Sequence, residues 1–365
     1  MAKWIVVGAG LTGATIAERI ASVRKEEVLV IEKLPYVGGA CADHWTHEGL
    51  LVQKCGPHVF HTNLEDVWGY LQPFAKWLLF RYQVHASVES RSIPLPIGLI
   101  GIDLLFPDQT EIIKTTLLDH YQPGEKVSIL RMLQESNPII ARTARSIYDR
   151  IFQGYTMKHW GILPEELDSL VVGRVPIIIG DQDSYTGDKY QAVPTDGFSN
   201  LVTRMLDHPK ITVKLSHMCE PKYTSPHYNV IYTGAIDEYF SFELGPLPYR
   251  SVQFKTKVFL EESVLPVATI TYPLDQEYTR ATEMKKITQQ AHKHTAVVYE
   301  YPSPCSRGLD PLYPVPKSLN YKLYQRYVQR SNLTQTLFCG RLGEYRYFNM
   351  DQAIKSALHL VEGLP

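Results

Sequence analysis

The residues with the clearest chemical potential stand near the start of the chain. Gly8-Ala9-Gly10-Leu11-Thr12-Gly13 is a GxGxxG run placed between an apolar strand, Trp4 to Val7, and a helical pattern, Ala14 to Val23. The first glycine suits a tight turn. The second lets backbone N–H groups approach a pyrophosphate at the positive end of the helix, and the third permits close helix–strand contact. Glu32 follows Gly10 at the end of a second strand, Val28 to Ile31. There a carboxylate can accept hydrogen bonds from an adenosine ribose and would repel a 2′-phosphate. The motif alone does not separate FAD from NAD. Gly38-Gly39, a second glycine pair followed by Ala40, points to FAD, because it allows another close backbone approach to a long dinucleotide. Gly340-Arg341, after a late strand and before a helix starting near Asp351, is a second pointer. A helix N-terminus of that kind can stabilise negative charge on a reduced flavin.

The elements that must position these groups are legible in outline. Apolar strand runs are continuous near the N-terminus, as in a parallel sheet buried on both faces. Ile211 to Val213, Val230 to Thr233 and Thr336 to Cys339 read as further buried strands. Residues 128–151 carry apolar positions at helical spacing, whereas residues 176–193 and 250–301 alternate as antiparallel strands do. The expected fold is therefore α/β: a Rossmann-like FAD-binding domain with a helical insertion domain and an antiparallel β-sheet domain. The FAD-binding domain is expected over residues 1–80, 195–248 and 318–365. The helical domain covers 98–175, and the sheet domain 81–97, 176–194 and 249–317.

Composition excludes several classes. Lys plus Arg (37) nearly balances Asp plus Glu (38), so neither a nucleic-acid nor a membrane surface is expected. The most apolar stretch, around Ile93 to Phe106, is broken by prolines, glycines and Asp103, and no membrane insertion is expected from it. No signal peptide is read at the start. Five scattered cysteines form no CxxC pair. The expectation is a cytoplasmic protein with reduced thiols and no metal site.

Beyond the glycines the chain resembles the UDP-galactopyranose mutase family. The resemblance rests on Gly56-Pro57-His58-Val59-Phe60-His61-Thr62, Gly154-Tyr155-Thr156-Met157-Lys158-His159-Trp160-Gly161, Arg174-Val175-Pro176 and Asp188-Lys189-Tyr190-Gln191. It continues through Tyr232-Thr233-Gly234, Tyr249-Arg250-Ser251, Tyr278-Thr279-Arg280, Glu300-Tyr301-Pro302, Tyr313-Pro314 and Gly340-Arg341-Leu342-Gly343, up to Tyr345-Arg346-Tyr347. These blocks run in order along nearly the whole chain.

The resemblance implies an isomerase that converts UDP-galactopyranose to UDP-galactofuranose, a precursor for glycan building. Reduced FAD would attack the anomeric carbon through N5 and form a covalent flavin–sugar adduct, with no net redox change. NADPH or NADH would serve as reductant. By resemblance Arg174, Arg250 and His61 are catalytic. Tyr155, Trp160, Tyr185, Arg280, Tyr313 and Tyr347 bind the UDP-sugar together with Arg174 and Arg250, Tyr155 against uracil and Trp160 at the entrance to the uridine site. The cofactor would be held by Gly8, Gly10, Leu11, Thr12, Gly13, Glu32, Gly38, Gly39, Ala40, His58, Val59, Gly340, Arg341, Asn349 and Met350. Glu300 is read as structural, and residues from about Ile177 to Tyr190 as a lid hinged at Gly180 and Gly187.

Four positions depart from the family pattern: Ala40-Cys41 and Asn349, where Asn and Asp are common, and Ile178 and Met284, where Arg and His are. Other readings stay open at this point. They are the same chemistry on UDP-N-acetylgalactosamine or a 6-deoxy sugar, a flavin amine or alcohol oxidoreductase, and an inactive nucleotide-sugar binding module. A homodimer is also left open.

Overall fold

The computed structural model describes residues 4–182, 184–219, 228–306 and 308–365, without the side chains of Ser169 and Leu170. The chain divides into two compact units. One comprises Met1–Leu79, Asp188–Ser251 and Cys305–Pro365; the other comprises Phe80–Gly187 and Val252–Pro304.

The first unit is built on five parallel strands in the order Ile211–Lys214, Val28–Ile31, Trp4–Val7, Asn229–Tyr232, Thr336–Phe338. Val6, Val30 and Ile231 are buried on one face, and Ile5, Ile31 and Val230 on the other. Burial on both faces explains why these strands read as unbroken apolar runs. Helix Leu11–Arg19 packs on the sheet and against the C-terminal helix Met350–Glu362. Ala14, Ala17 and Ala357 are small enough to let the two helices approach, and none has exposed surface. The strand order reverses direction beside Trp4–Val7. Gly8 and Thr233, which follow the two strands flanking that reversal, therefore stand where open α/β sheets bind ligands.

A smaller antiparallel sheet in the same unit joins Phe60–Thr62, Tyr190–Pro194 and Trp77–Leu79. Its register sets Gln191 opposite His61 and Tyr190 opposite Thr62. Strand Tyr249–Phe259 begins in this unit, where Tyr249 and Arg250 pair with Pro314 and Tyr313.

The second unit combines helices with a sheet whose strands include Thr295–Pro304, Arg280–Glu283, Thr269–Thr271, Val84–Val88 and Arg91–Leu95 in that order. The pairing is antiparallel except between Thr269–Thr271 and Val84–Ala86, which run parallel. Alternation in sequence reports which face a residue occupies and says nothing of strand direction, so this pair was not foreseen. Helix Pro138–Ile147 begins where the Asn137 side chain accepts from Ile139 N–H at 2.9 Å and Ile140 N–H at 3.4 Å, with Pro138 at the first helical position. Its buried stripe is Ile140, Ala144 and Ile147. A π-helical turn, Tyr148–Phe152, leads directly into helix Gln153–Trp160, which ends at Gly161 with φ 74°. Among the described residues no helix is long and apolar enough to cross a membrane.

The glycine turn tolerates no side chain. A Cβ on Gly13 would lie 1.9 Å from the Gly8 carbonyl oxygen. Gly13→Ala is expected to lower stability by about 3 kcal/mol or more, read by chemical denaturation. Gly69→Ala, inside helix Glu65–Leu71 with nothing within 4 Å of its Cβ, is the control and should be neutral or gain about 0.5–1 kcal/mol.

Candidate functional site

The dinucleotide cradle lies in the first unit. Gly8 takes φ +105°, and a Cβ there would strike Thr233 Oγ1 at 2.1 Å. The Thr233 hydroxyl donates to the Val7 carbonyl at 2.7 Å and fixes the end of the strand. Helix Leu11–Arg19 starts at Gly10 with no side-chain cap and no acidic residue in its first turn. Its N-terminal N–H groups are thus unopposed by local anions, which suits a pyrophosphate. Gly38 donates its N–H to the Ala9 carbonyl at 2.8 Å, and Gly39 packs on Gly10, where a Cβ would meet the Gly10 Cα at 3.1 Å. Gly340, at φ +86°, touches Thr12. Leu11, Thr12 and Val59 are buried around the cradle, and Ala40 follows in the short turn Gly39–Cys41. These residues fit an extended dinucleotide, because a side chain at the glycines would fill the approach.

Glu32 is more committed than its position in sequence suggests. Its carboxylate accepts from Ala9 N–H at 2.7 Å and from Leu34 N–H at 2.8 Å. It therefore braces the glycine turn, and only its remaining lone pairs are available to a ribose.

The stretch between Gly56 and Thr62 places two histidines differently. His58 Nδ1 lies 3.0 Å from the Gly56 carbonyl, and its backbone is held by both ends of the Gln53 amide. Burial, reinforced by the Arg341 cation, pushes His58 down to about 4. His61 Nδ1 lies 2.5 Å from Asp188 Oδ2. Thr62 donates to Asp351 at 3.0 Å, tying this strand to the first turn of the C-terminal helix. That helix begins at Met350, where Asn349 N–H donates to Gln352 Oε1 at 2.9 Å and Gln352 N–H to Asp351 Oδ1 at 2.8 Å.

Arg341 gathers the remaining first-unit groups. Its guanidinium donates to the Phe348 carbonyl at 2.7 Å and lies 5.2 Å from the Tyr313 ring centroid and 5.9 Å from that of Tyr347. The two rings meet edge to face at 5.5 Å. Arg250 is buried and stands directly across the strand pair from Tyr313. Burial pushes its pKa down.

The second unit assembles its own group. Helix Gln153–Trp160 is docked by Gly154, whose Cβ would lie 2.6 Å from the Pro273 carbonyl oxygen, and by Lys158, which donates to the Tyr272 carbonyl at 2.9 Å. Tyr155 stacks on His159 one turn later, rings 5.7 Å apart and nearly parallel. His159 meets Trp160 edge-on. Arg280 lies 5.5 Å from the Tyr155 ring centroid. Burial opposes its charge, but Tyr155, Glu300, Tyr185 and Tyr82 outweigh burial and raise its pKa well above the ordinary value. Glu300, its cross-strand neighbour, is pushed up by burial against the pull of Arg280. Among the described residues Arg280 Nε and Glu300 Oε1 have no hydrogen-bond partner. Tyr185 packs edge-on against Tyr82 at 5.9 Å, and its N–H donates to the Tyr82 carbonyl at 2.6 Å.

The structure places three of the expected features as follows. Trp160, expected at an entrance, is buried within the unit. Arg174 is exposed just beyond the short helix Ser169–Val172. The expected lid does not begin at Ile177: Ile177, Ile178 and Ile179 are buried, and Ile177–Ile178 pairs with Lys126–Val127. Gly180 is anchored too, its carbonyl accepting from Leu99 N–H at 2.9 Å. Ile178, where the family pattern has Arg, is thus a core residue. Residue 183, inside the expected lid, lies outside the described residues. Asp188 and Tyr82 carried no role in the sequence reading, although Asp188 stood in a quoted block.

The profile of the UDP-galactopyranose mutase family matches residues 150–347, more than half of the chain. The chain belongs to the UDP-galactopyranose mutase family. It is therefore a member of an isomerase family that acts on nucleotide sugars. The NAD(P)-binding Rossmann-like domain profile matches residues 6–74, which contain the glycine turn. A dTDP-fucopyranose mutase of Escherichia coli is 29% identical over 99% of this chain and 98% of its own length. A probable UDP-galactopyranose mutase of Klebsiella pneumoniae is 29% identical over 97% and 92%. The crystal structure of a reduced UDP-galactopyranose mutase superposes with a TM-score of 0.79 at 15% identity, covering 99% of this chain and 93% of that one. That likeness establishes the shared fold.

The depressed His58 has a thermodynamic consequence. Between about 4 and the ordinary 6.5 the unfolded chain binds this proton and the folded chain does not. Stability from this group is complete above that window and is lost as pH falls through it. Because His58 is only part-buried, the loss is expected to be about 1–2 kcal/mol. His58→Gln should flatten the acid limb of a stability–pH profile measured by urea unfolding.

Proposed function

We propose that this chain interconverts UDP-galactopyranose and UDP-galactofuranose with FAD in its reduced form, NADPH or NADH being the reductant. The observation that carries the reading is Arg280, a half-buried guanidinium 5.5 Å from the Tyr155 ring centroid whose Nε has no hydrogen-bond partner among the described residues. Such a group keeps positive charge for an anion that arrives with the substrate. Family membership supplies the nucleotide sugar.

FAD would be held by Gly8, Gly10, Leu11, Thr12 and Gly13, by Gly38, Gly39 and Ala40, by His58 and Val59, and by Gly340, Arg341, Asn349 and Met350, with Glu32 bracing the turn. When bound, reduced flavin would supply a nucleophilic N5 for the anomeric carbon, chemistry that calls for no net redox change. The chain's own residues do the rest. Arg174, Arg250 and Arg280 neutralise the departing diphosphate, and Tyr185, Tyr313 and Tyr347 donate phenolic hydrogen bonds to it. Tyr155 and Trp160 hold the base. His61 approaches the reacting groups as a hydrogen-bonding partner.

A 6-deoxy sugar on dTDP is the second reading, favoured by the likeness to the dTDP-fucopyranose mutase across almost its whole length. Product chromatography with UDP-galactose and dTDP-fucose decides between them. In either case isomerisation is expected only after dithionite or NAD(P)H is added, and equal turnover by the oxidised protein overturns the reading. Arg174→Ala, at an exposed position, should lower kcat roughly 10²–10³-fold with flavin absorbance retained.

A further inference from the structure

We propose that Asp188 is a positioning residue that holds His61 as the Nδ1–H tautomer and so presents Nε2 as a hydrogen-bond acceptor. The inference starts from a backbone group. Lys189 N–H donates to Asn63 Oδ1 at 2.8 Å, which fixes the orientation of the Asn63 amide. Its Nδ2 must then donate, and it does so to Asp188 Oδ1 at 2.6 Å. Asp188 is thereby oriented with Oδ2 toward His61 Nδ1, 2.5 Å away. A carboxylate oxygen accepts, so Nδ1 carries the proton. Gln191, opposite His61 in the strand register, donates its side-chain amide to the Asp188 carbonyl at 3.1 Å and secures the turn. Among the described residues no side chain or backbone group hydrogen-bonds His61 Nε2.

An unconstrained neutral imidazole favours the Nε2–H form, and the bond at one ring nitrogen decides the role of the other. The carboxylate therefore reverses the intrinsic preference of His61. With roughly a quarter of each side chain exposed, the pair is accessible yet partly shielded. On the mutase reading, on which the use of this acceptor rests, Nε2 serves the N–H of the reduced cofactor or a hydroxyl of the sugar. A histidine presenting Nε2–H would be a donor in the same place: it would oppose the N–H of the reduced cofactor and could meet a sugar hydroxyl only as that hydroxyl's donor.

The test is nitrogen-15 NMR of the full-length, histidine-labelled protein in mildly alkaline buffer, with His61→Gln assigning the signal. The expected result is Nδ1–H for His61 in the parent, a majority of Nε2–H in Asp188→Ala, and a partial shift in Asn63→Ala. Nε2–H or an imidazolium in the parent overturns the proposal, as does an unchanged tautomer in a folded Asp188→Ala. If Asp188→Ala does not fold, the parent and Asn63→Ala spectra decide. Turnover by reduced Asp188→Ala should fall roughly 10–100-fold in kcat with KM little changed, the usual cost of losing a group that orients a histidine. Unchanged kcat despite a flipped tautomer overturns its part in catalysis. A parent with the Nδ1–H form but no isomerase activity when reduced leaves the tautomer assignment supported and defeats the mutase reading instead.

Discussion

The first unit depends on backbone touching backbone at the carboxyl end of the parallel sheet. Gly13 lies against the Gly8 carbonyl, Gly39 against Gly10, and Gly340 against Thr12. A Cβ at Gly13 would lie 1.9 Å from the Gly8 carbonyl oxygen, one at Gly39 3.1 Å from the Gly10 Cα, and one at Gly340 2.8 Å from the Thr12 hydroxyl oxygen. Crowding brings distant loops to one place, and hydrogen bonds lock them there. Thr233 grips the Val7 carbonyl, Gly38 the Ala9 carbonyl, and Glu32 the Ala9 N–H. Glu32 is buried, and its cost of desolvation is met by the N–H groups it accepts. A turn so fully braced leaves the helix N-terminus as the part with unfilled donors, which is what an anionic cofactor requires.

Position is transmitted from that turn by packing. Helix Leu11–Arg19 lies on the small residues of the C-terminal helix, whose capped first turn contains Asp351. Asp351 takes the buried Thr62 hydroxyl, and Thr62 adjoins His61 in a three-residue strand. These contacts tie the strand that carries His61 to the C-terminal helix and through it to the helix on the sheet. Asn349 contributes by capping the helix without adding a charge, while Asp351 supplies one carboxylate within the first turn. A carboxylate there is favourable for the helix itself and offsets part of its positive end.

What was legible in the sequence was local. The GxGxxG turn and the strands around it each depend on a few consecutive residues. The parallel sheet was legible because burial on both faces leaves a compositional trace. Pairings that depend on register were not. His61 and Asp188 are separated by 127 positions and meet only because Tyr190–Pro194 pairs with Phe60–Thr62. Arg341 reads as a cofactor residue from its glycine neighbour, whereas its place between Tyr313 and Tyr347 depends on how three loops converge. Trp160 illustrates the reverse difficulty: an aromatic with a polar tip suits an entrance or a core equally well, and its neighbours bury it. The resemblance implies a lid from about Ile177, yet three consecutive isoleucines are better satisfied inside.

The charges show how the protein keeps cations without neutralising them. A buried guanidinium beside a carboxylate ordinarily forms a tight pair, and the pair cancels the field it would offer to a ligand. Arg280 and Glu300 are cross-strand neighbours, but Glu300 Oε1 and Arg280 Nε are not hydrogen-bonded. Burial pushes the Glu300 carboxyl up against the pull of Arg280, and the Tyr155 ring lies 5.5 Å from the Arg280 guanidinium. In the first unit the same economy applies to Arg341: burial and the guanidinium keep His58 neutral, so one fixed cation is present there instead of two mutually repelling ones. Phenol rings can support a cation through their faces while leaving it electrically uncompensated. A carboxylate strong enough to hold an arginine in place would also cancel its field, which an aromatic ring does not.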